Sequence, residues 1–340
     1  MRAPSTTFNS YGEPIIPTAA MEDGVDQIKL SVDRRYHGVG FHSMPRFGKS
    51  TFSEYLAYNR GWADFSYVPR HALARSIGAT FSLFADWFLA QIGFEALSRQ
   101  TPQRKLDRII NSISTILEVE KSSRLFLIVD DANQIERDAF QHFVTIDNEM
   151  VKRGMHLFVV FLFQDNHTSN KSEAINRAFV TPQVRERYLC QFHRFHGIRD
   201  VSDLRLFIQR FEEEAEMHHG AAVSLPMSTA PHLYEGAFRL HAYSTSIWEA
   251  GVSARVAAGF PERDEWPMQP TRLIVDYLSR RVICKPGFTD LKAADIEMAV
   301  RYSGLAEYDG STGEVKFTKG SEMSDLDAGP AELDHGYRES

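Results

Sequence analysis

The strongest constraint on the fold of this chain is a Gly-Lys-Ser-Thr sequence at residues 48–51, between a short apolar segment and a longer amphipathic one. The preceding "YHGVGFH" at 36–42 predicts a strand, and "KSTFSEYLAYNRG" at 49–61 predicts a helix that ends at its glycine. In such a strand–loop–helix unit, backbone N–H groups at the helix N-terminus bind phosphate oxygens. The sequence therefore predicts a phosphate-binding loop.

The loop departs from the pattern G-x-x-x-x-G-K-[ST], because Ser43 stands where glycine is usual. Serine lacks the freedom of glycine at positive φ, so this change weakens the motif without abolishing it. We expect Lys49 to reach the outer phosphates of ATP and the Ser50 hydroxyl to bind Mg²⁺. The expected nucleotide-binding residues are Ser43, Pro45, Arg46, Phe47, Gly48, Lys49, Ser50 and Thr51.

A second motif follows some 80 residues later, where the apolar run "RLFLIV" is capped by Asp130 and Asp131. This is the form expected of a buried parallel strand that ends at an active edge. We expect Asp130 to hold the magnesium-bound water, so that it forms the metal site together with Ser50. Asp131 has two interpretations: a base that orients and deprotonates the attacking water, or a cap of the next helix.

Three further residues are candidates for catalysis. Gln164 ends "LFVVFLFQ" and is placed to sense the γ-phosphate, although a polar residue that simply ends a strand fits equally well. Of Arg185 and Arg187, we favour Arg187 as an arginine presented to the nucleotide of a neighbouring subunit. Arg272 opens a helix after a proline and suits an arginine that reaches back over the phosphates, but a solvated surface arginine is as good an interpretation.

Strands and helices alternate up to about residue 200, and this predicts an α/β fold with a five-stranded parallel sheet between helices. After the strand at 36–42, further strands are expected at 63–69, 124–130, 155–165 and within 184–195. The expected helices include 70–93, 102–121 and 228–259. Later segments are helical and predict a smaller lid domain. The expected division is an N-terminal extension 1–28, an α/β domain 29–199, a helical lid 200–317 and an acidic disordered tail 318–340. The extension is expected to be irregular until "VDQIKLSVDRRY" at 25–36 begins a possible helix.

Composition limits the partners of this 340-residue chain. Its formal net charge of −7 argues against coating of nucleic acid through bulk positive charge. A local basic cluster at Lys29, Arg34 and Arg35 could still bind DNA phosphates, but a solvated helix face gives the same residues.

The sequence offers no apolar stretch near the ~20 residues that cross a bilayer, so we expect no membrane association and a cytoplasmic location. Cys190 and Cys284 are interpreted as reduced thiols. The histidine pairs 193/196 and 218/219 lack partners at recognised metal spacing, and we assign no structural metal.

The segments "SMPRFGKST", "LFLIVDDANQI", "LFVVFLFQD", "VRERYLCQFHRF" and "DLRLFIQRFEEE" together resemble the AAA+ ATPases, and within them the TnsC/TniB-type ATPases of bacterial transposons. The resemblance covers roughly residues 30–280. It implies an AAA+ core with a helical lid, ATP and Mg²⁺ as cofactors, and self-association into a ring or filament along double-stranded DNA. It further implies contacts with a transposase and a target-selection protein. The departures at Ser43 and Asp131 lead us to expect slow hydrolysis.

Two other classes remain open at this point. A nucleotide-switched signalling or defence ATPase would share the core, but it normally carries an effector or repeat domain, and none is evident in this sequence. A loader or remodeller of a replication complex would share the core as well, but it should carry glutamate directly after Asp130.

Overall fold

A computed structural model describes residues 7–9, 12, 14–75, 77–97, 99–165, 181–217, 230–234, 236–261 and 265–307. They form a five-stranded parallel sheet with helices on both faces, followed by a helical region. The predicted α/β fold with a five-stranded parallel sheet is therefore confirmed. The predicted acidic tail, 318–340, and the histidine pair 218/219 lie outside the described residues.

The sheet places the carboxyl ends of its strands at one edge, because all of its pairings are parallel. Ser43 at the end of β1 pairs with Gln164 at the end of β4, while Asp130 ends β3. The strand order is β2-β3-β4-β1-β5. The strands are β1 (Gly38–Ser43), β2 (Val68–Leu73), β3 (Arg124–Asp130), β4 (His156–Gln164) and β5 (Phe192–Arg194).

Two layers of helices cover the sheet, and each encloses its own apolar core. One face packs against α1 (Ala19–Asp33) and α2 (Lys49–Tyr58). The other face packs against α3 (Phe81–Gln91), α4 (Pro102–Val119), α5 (Phe140–Lys152) and α6 (Pro182–Tyr188). The central strands are apolar on both faces because both faces are covered.

The helical region has a third apolar core, which includes the fully buried Trp266 stacked on Trp248. Its elements are α7 (Val201–Met217), α8 (Pro231–Tyr234), α9 (Ser244–Ala257), α10 (Met268–Tyr277), which continues as a π-helix over Leu278–Ile283, and α11 (Ala293–Ser303). None of the helices in the described part of the chain is both long enough and apolar enough to span a bilayer.

A backbone contact joins the helical region to the segment that follows β5. Ile198 and Trp266 exchange two hydrogen bonds, of 3.0 and 2.8 Å. Beside them, a Cβ added to Gly197 would lie 2.2 Å from the carbonyl oxygen of Trp266 and 2.8 Å from the ring of Phe47. Only glycine fits at this position, so the close approach brings the helical region directly onto the phosphate loop.

The expectation of an irregular segment is wrong for residues 19–24, because α1 begins at Ala19, six residues before the helix expected from residue 25. The hydroxyl of Thr18 accepts a hydrogen bond from the backbone N–H of Met21 and caps the helix. Ile28, on the inner face of α1, is fully buried. Burial of this face stabilises the helix despite the proline and glycine residues around its start.

The strand expected at 63–69 and the helix expected from residue 70 are also misplaced. Residues 68–73 pair with β3 as an edge strand, and the helix begins at Phe81. Phe65 and Tyr67 instead pack with Trp62 in an aromatic cluster. The hydrogen bonds to β3 outweigh the local helical pattern, since propensity is a weak prior against tertiary pairing.

The single helix expected over 228–259 is divided in the described residues into α8, a 3₁₀ turn at Leu240–Tyr243, and α9. The guanidinium of Arg239 donates to the carbonyl oxygens of Tyr234 and Phe238. The buried carboxylate of Glu212 accepts from the N–H of Leu240 at 2.6 Å. These side chains bind backbone groups that a continuous helix would have paired internally, and so they fix the break.

Candidate nucleotide site

A cavity of about 470 Å³ opens at the carboxyl edge of the sheet, between the loop after β1 and the helical region. Of the predicted catalytic and nucleotide-binding residues, the structure brings together there Arg46, Phe47, Gly48, Lys49, Ser50, Thr51, Asp131, Gln164 and Arg272. Ser43 and Asp130 lie buried at the ends of β1 and β3 rather than on the cavity wall. Pro45 and Arg187 do not line the cavity either.

The loop after β1 has the backbone of an anion-binding turn. Gly48 has φ = 95°, a left-handed conformation that glycine adopts without strain, and it is the N-cap of α2. Arg46 is also left-handed, with φ = 64°. Because α2 begins at Lys49, its first N–H groups have no partner within the helix, and the residues that carry them line the cavity.

The ammonium group of Lys49 is buried beneath this loop, with 7% of the residue exposed. Its Nζ donates to the carbonyl oxygens of Ser43 and Met44, both at 2.9 Å. Burial lowers the pKa of Lys49 to about 8, while the carboxylates of Asp130, Asp165 and Asp131 oppose the shift. The lysine is therefore held in place by the backbone before any phosphate arrives.

The two aspartates at the end of β3 have different environments. Asp130 is buried, and its Oδ1 accepts a hydrogen bond of 3.0 Å from the N–H of Asp131. Asp131 is left-handed, with φ = 54°, and it lines the cavity. Burial, and then the neighbouring charge of Asp130, raise the pKa of the Asp131 carboxyl, whereas Lys49 lowers it. A raised pKa makes the Asp131 carboxylate a stronger base than an ordinary aspartate.

The end of β4 is connected to both flanking strands. The N–H of Gln164 donates to the side-chain oxygen of Asn133 at 3.3 Å, and the N–H of Asp165 donates to the carbonyl oxygen of Ser43 at 2.9 Å. Nδ1 of His42 lies 2.9 Å from Oδ2 of Asp165. β4 lies between the strand that carries the loop and the strand that carries the aspartates, so Gln164 reaches the cavity between the two motifs.

The first turn of α10 contacts the phosphate loop directly. The backbone N–H groups of Met268 and Gln269 donate to the carbonyl oxygen of Arg46, at 3.0 and 3.4 Å. One turn further along, Arg272 lines the cavity, with its Nε 3.6 Å from Oδ2 of Asp276. The predicted position of Arg272 over the loop agrees with this placement; its predicted role stays a prediction.

Arg187, the arginine expected to reach the nucleotide of a neighbouring subunit, lies away from the cavity. Arg187, at the end of α6, donates to Oδ1 of Asn148 at 2.7 Å and lies 3.3 Å from Oδ2 of the fully buried Asp147. Its carbonyl oxygen accepts from the N–H of His37, which precedes β1, so Arg187 lies at the amino edge of the sheet. It does not contact the cavity of its own chain.

The predicted DNA-binding residues lie at this same amino edge. Lys29 is on α1, and Arg34 and Arg35 are exposed just after it. None of the three lines the cavity.

Several cavity residues were missed by sequence reasoning. Ile16, Met21, Phe207, Met268 and Leu273 give the cavity an apolar wall. They come from three regions that are distant in sequence, and no spacing links them. The sequence contains one signal that could have placed Met21 at the start of a helix. A threonine N-cap, Thr18, followed by an acidic residue in the first turn is typical of a helix N-terminus.

No protein-family model matches the sequence, and no curated protein matches it. Among solved structures, the chain is similar to Cdc6p from Pyrobaculum aerophilum, with 13% identity, coverage of 88% of this chain and 84% of the other, and a TM-score of 0.37. A RuvB variant from Thermotoga maritima shares 10% identity over 87% and 72% of the two chains, with a TM-score of 0.40. Drosophila ORC bound to DNA shares 11% identity over 85% and 70%, with a TM-score of 0.43. Similarity at this level carries no argument about family or function.

ATP binding at pH 8 should be accompanied by proton uptake, on the order of half a proton per site. The pKa of Lys49 is about 8 in the free protein, so at pH 8 the side chain is about half neutral amine and half charged ammonium. Adjacent phosphates raise this pKa, so ATP binding converts the amine to the ammonium. Calorimetry in buffers of different ionisation enthalpy measures the uptake, which should vanish well below pH 8.

The matched control is Lys49→Arg, because its guanidinium stays charged throughout this range. Equal uptake by the parent and Lys49→Arg would show that another group titrates.

Proposed function

We propose that this chain is an AAA+ ATPase that hydrolyses ATP slowly and regulates transposition while assembled on duplex DNA. The observation that carries the ATPase part is the position of one buried lysine, one half-buried aspartate and one helix N-terminus around a single cavity of nucleotide size. The transposition part rests on the resemblance of five sequence segments to TnsC/TniB-type ATPases.

The two sides of the cavity suit the two ends of ATP. The loop side offers N–H groups from the start of α2 and the ammonium of Lys49, and both favour phosphate oxygens. The cavity wall also includes Ile16, Met21 and Phe207, apolar side chains that suit a flat heteroaromatic base. The volume of about 470 Å³ lies within the range of small-ligand sites.

The donor chemistry around the loop fits Mg²⁺. A buried carboxylate, Asp130, ends β3, and the hydroxyl of Ser50 lies on the cavity wall; oxygen ligands of this kind are those that Mg²⁺ prefers. Ser50 and Asp130, through a water, would hold the ion. When bound, Mg²⁺ neutralises charge on the phosphates and orients them.

For hydrolysis, we assign Asp131 as the group that orients and deprotonates the attacking water, and Gln164 as the polar group that contacts the γ-phosphate. Both line the cavity, and the pKa of Asp131 is raised toward that of an effective base. Aspartate is one methylene shorter than glutamate, so the carboxylate must come closer to its water, and a misplacement of about 1 Å costs on the order of a hundredfold in rate. We therefore propose slow turnover.

Asp131→Asn should leave ATP affinity within about twofold of the parent and lower turnover by about a hundredfold, because the amide cannot accept the proton. Single-turnover phosphate release measures the rate. The matched control is Asp138→Asn, an exposed aspartate on the same connection after β3, which should hydrolyse ATP at the parental rate. Parental turnover in Asp131→Asn would mean that this residue only caps the following turn.

Because the net charge is −7, we propose that strong DNA binding comes chiefly from repetition of a weak basic surface on many subunits. We propose that ATP promotes this assembly, with Arg187 of one subunit reaching the nucleotide of the next and with Lys29, Arg34 and Arg35 contacting DNA phosphates. Arg187 is partly exposed at the end of α6, and this supports an intermolecular role. A transposase and a target-selection protein are the proposed partners of the assembly.

ATP should convert the monomer into rings or filaments on duplex DNA, visible by electron microscopy and sedimentation. Arg187→Ala should keep the nucleotide affinity of the monomer but lose assembly or turnover. Arg185→Ala, which changes an exposed arginine on the same helix, is the matched control. A protein that stays monomeric with ATP and does not bind DNA even at low salt would end the transposition proposal and favour a nucleotide-switched signalling ATPase.

A further inference from the structure

A second cavity, of about 480 Å³, lies at the amino edge of the sheet, opposite the nucleotide site. Its polar walls are basic: they include Arg35, His37, Arg124 and His156. None of the described residues that line it carries a carboxylate. The proposed function uses only Arg35 of this group, so the cavity itself is unassigned.

The topology of the sheet brings these residues together. Arg124 begins β3 and His156 begins β4, and the two are register partners in the parallel ladder. His37 directly precedes β1, the next strand, and Arg35 precedes it in a left-handed conformation with φ = 60°. Three consecutive strands of the sheet therefore each contribute a basic residue at or before their first position.

Stabilisation of helix C-termini explains some of the basic residues at this edge, but it does not explain the basic residues that open strands beside the cavity. The C-terminal carbonyls of α1, α5 and α6 favour cations nearby, and this accounts for Arg34, Lys152 and Arg187. Arg124 and His156 open strands instead, so helix dipoles do not explain basic residues at these two positions.

The basic side chains around the cavity are paired unequally. Nδ1 of His37 lies 2.7 Å from the buried Asp147, which also holds Arg187. The guanidinium of Arg124 lies 5.4 Å from the ring centroid of Phe65, and within the described part of the chain no carboxylate forms an ion pair with it.

Burial lowers the pKa of Arg124, which means that its charge is poorly solvated. An anion in the cavity would offset that penalty.

We propose that this cavity binds a phosphate group of the duplex DNA backbone, held by Arg124, Arg35 and His156. This inference rests on the proposed function, in which the protein assembles on DNA. Two observations favour a polymer phosphate over a free one. Arg35 and His156 are exposed, so the site faces solvent, and the exposed Arg34 adjoins it and extends the basic surface beyond a single anion.

The test measures the affinity of the full chain, with ATP, for a short fluorescein-labelled DNA duplex at several salt concentrations. Arg124→Gln should weaken DNA binding by about tenfold and reduce the slope of log affinity against log salt by about one, since one phosphate contact is lost. Arg70→Gln is its matched control: Arg70 is another half-buried strand arginine, located on β2, with a pKa also lowered by burial, and its removal should change neither quantity.

A second pair of variants covers the risk that Arg124→Gln loosens packing on Phe65. Arg35→Gly removes a charge and relieves a left-handed backbone, so it should weaken DNA binding without loss of stability. Arg99→Gly is its control, because Arg99 is exposed and left-handed, with φ = 64°, in the connection before α4. ATP affinity should be parental in all four variants.

The outcomes separate the two proposals. Parental DNA affinity and salt slope in Arg124→Gln would overturn the cavity site and leave the proposed function intact, because the proposed function assigns Arg35, but not Arg124, to DNA. A parent chain that does not bind DNA would overturn both. Inorganic phosphate distinguishes a free-anion site: if phosphate stabilises the parent but not Arg124→Gln against heat, while DNA affinity is the same in both, the DNA assignment is overturned.

Discussion

Burial of the Lys49 ammonium is the interaction on which the site depends. A buried charge is costly unless it is hydrogen-bonded and near opposite charge, and here the carbonyl oxygens of Ser43 and Met44 and the carboxylates of Asp130 and Asp165 supply both. These groups come from the ends of three different strands. They converge only because the sheet is parallel, with β4 between β1 and β3. The parallel sheet therefore brings together the groups that stabilise the buried charge of Lys49.

The helical region is attached to the same loop through the backbone. The carbonyl oxygen of Arg46 accepts hydrogen bonds from the first two residues of α10, and the absence of a side chain at Gly197 lets Trp266 approach Phe47. A ligand that shifts the phosphate loop must strain or move these contacts. The structure thus contains a direct backbone connection between the loop that lines the cavity and the helical region.

The sequence predicted the parts of the fold in which one signal dominates. β3 and β4 are continuous apolar runs, and the loop before α2 carries its own motif. The sequence therefore predicted these elements, together with the cavity residues that lie on the loop and just after β3. Residues 68–73 were misread as part strand and part helix, because pairing with β3 decides their structure. The apolar wall at Ile16 and Phe207 could not be found, since only folding brings those residues together.

Equilibrium binding of ATP to the parent and to Lys49→Ala, measured by calorimetry at neutral pH, tests the central claim most directly. The account predicts saturable binding to the parent and no measurable binding to the variant, because the main side-chain charge opposite the outer phosphates is lost. Circular dichroism should show that the variant is folded. Unchanged ATP affinity in a folded Lys49→Ala protein would contradict the assignment of this cavity as the nucleotide site.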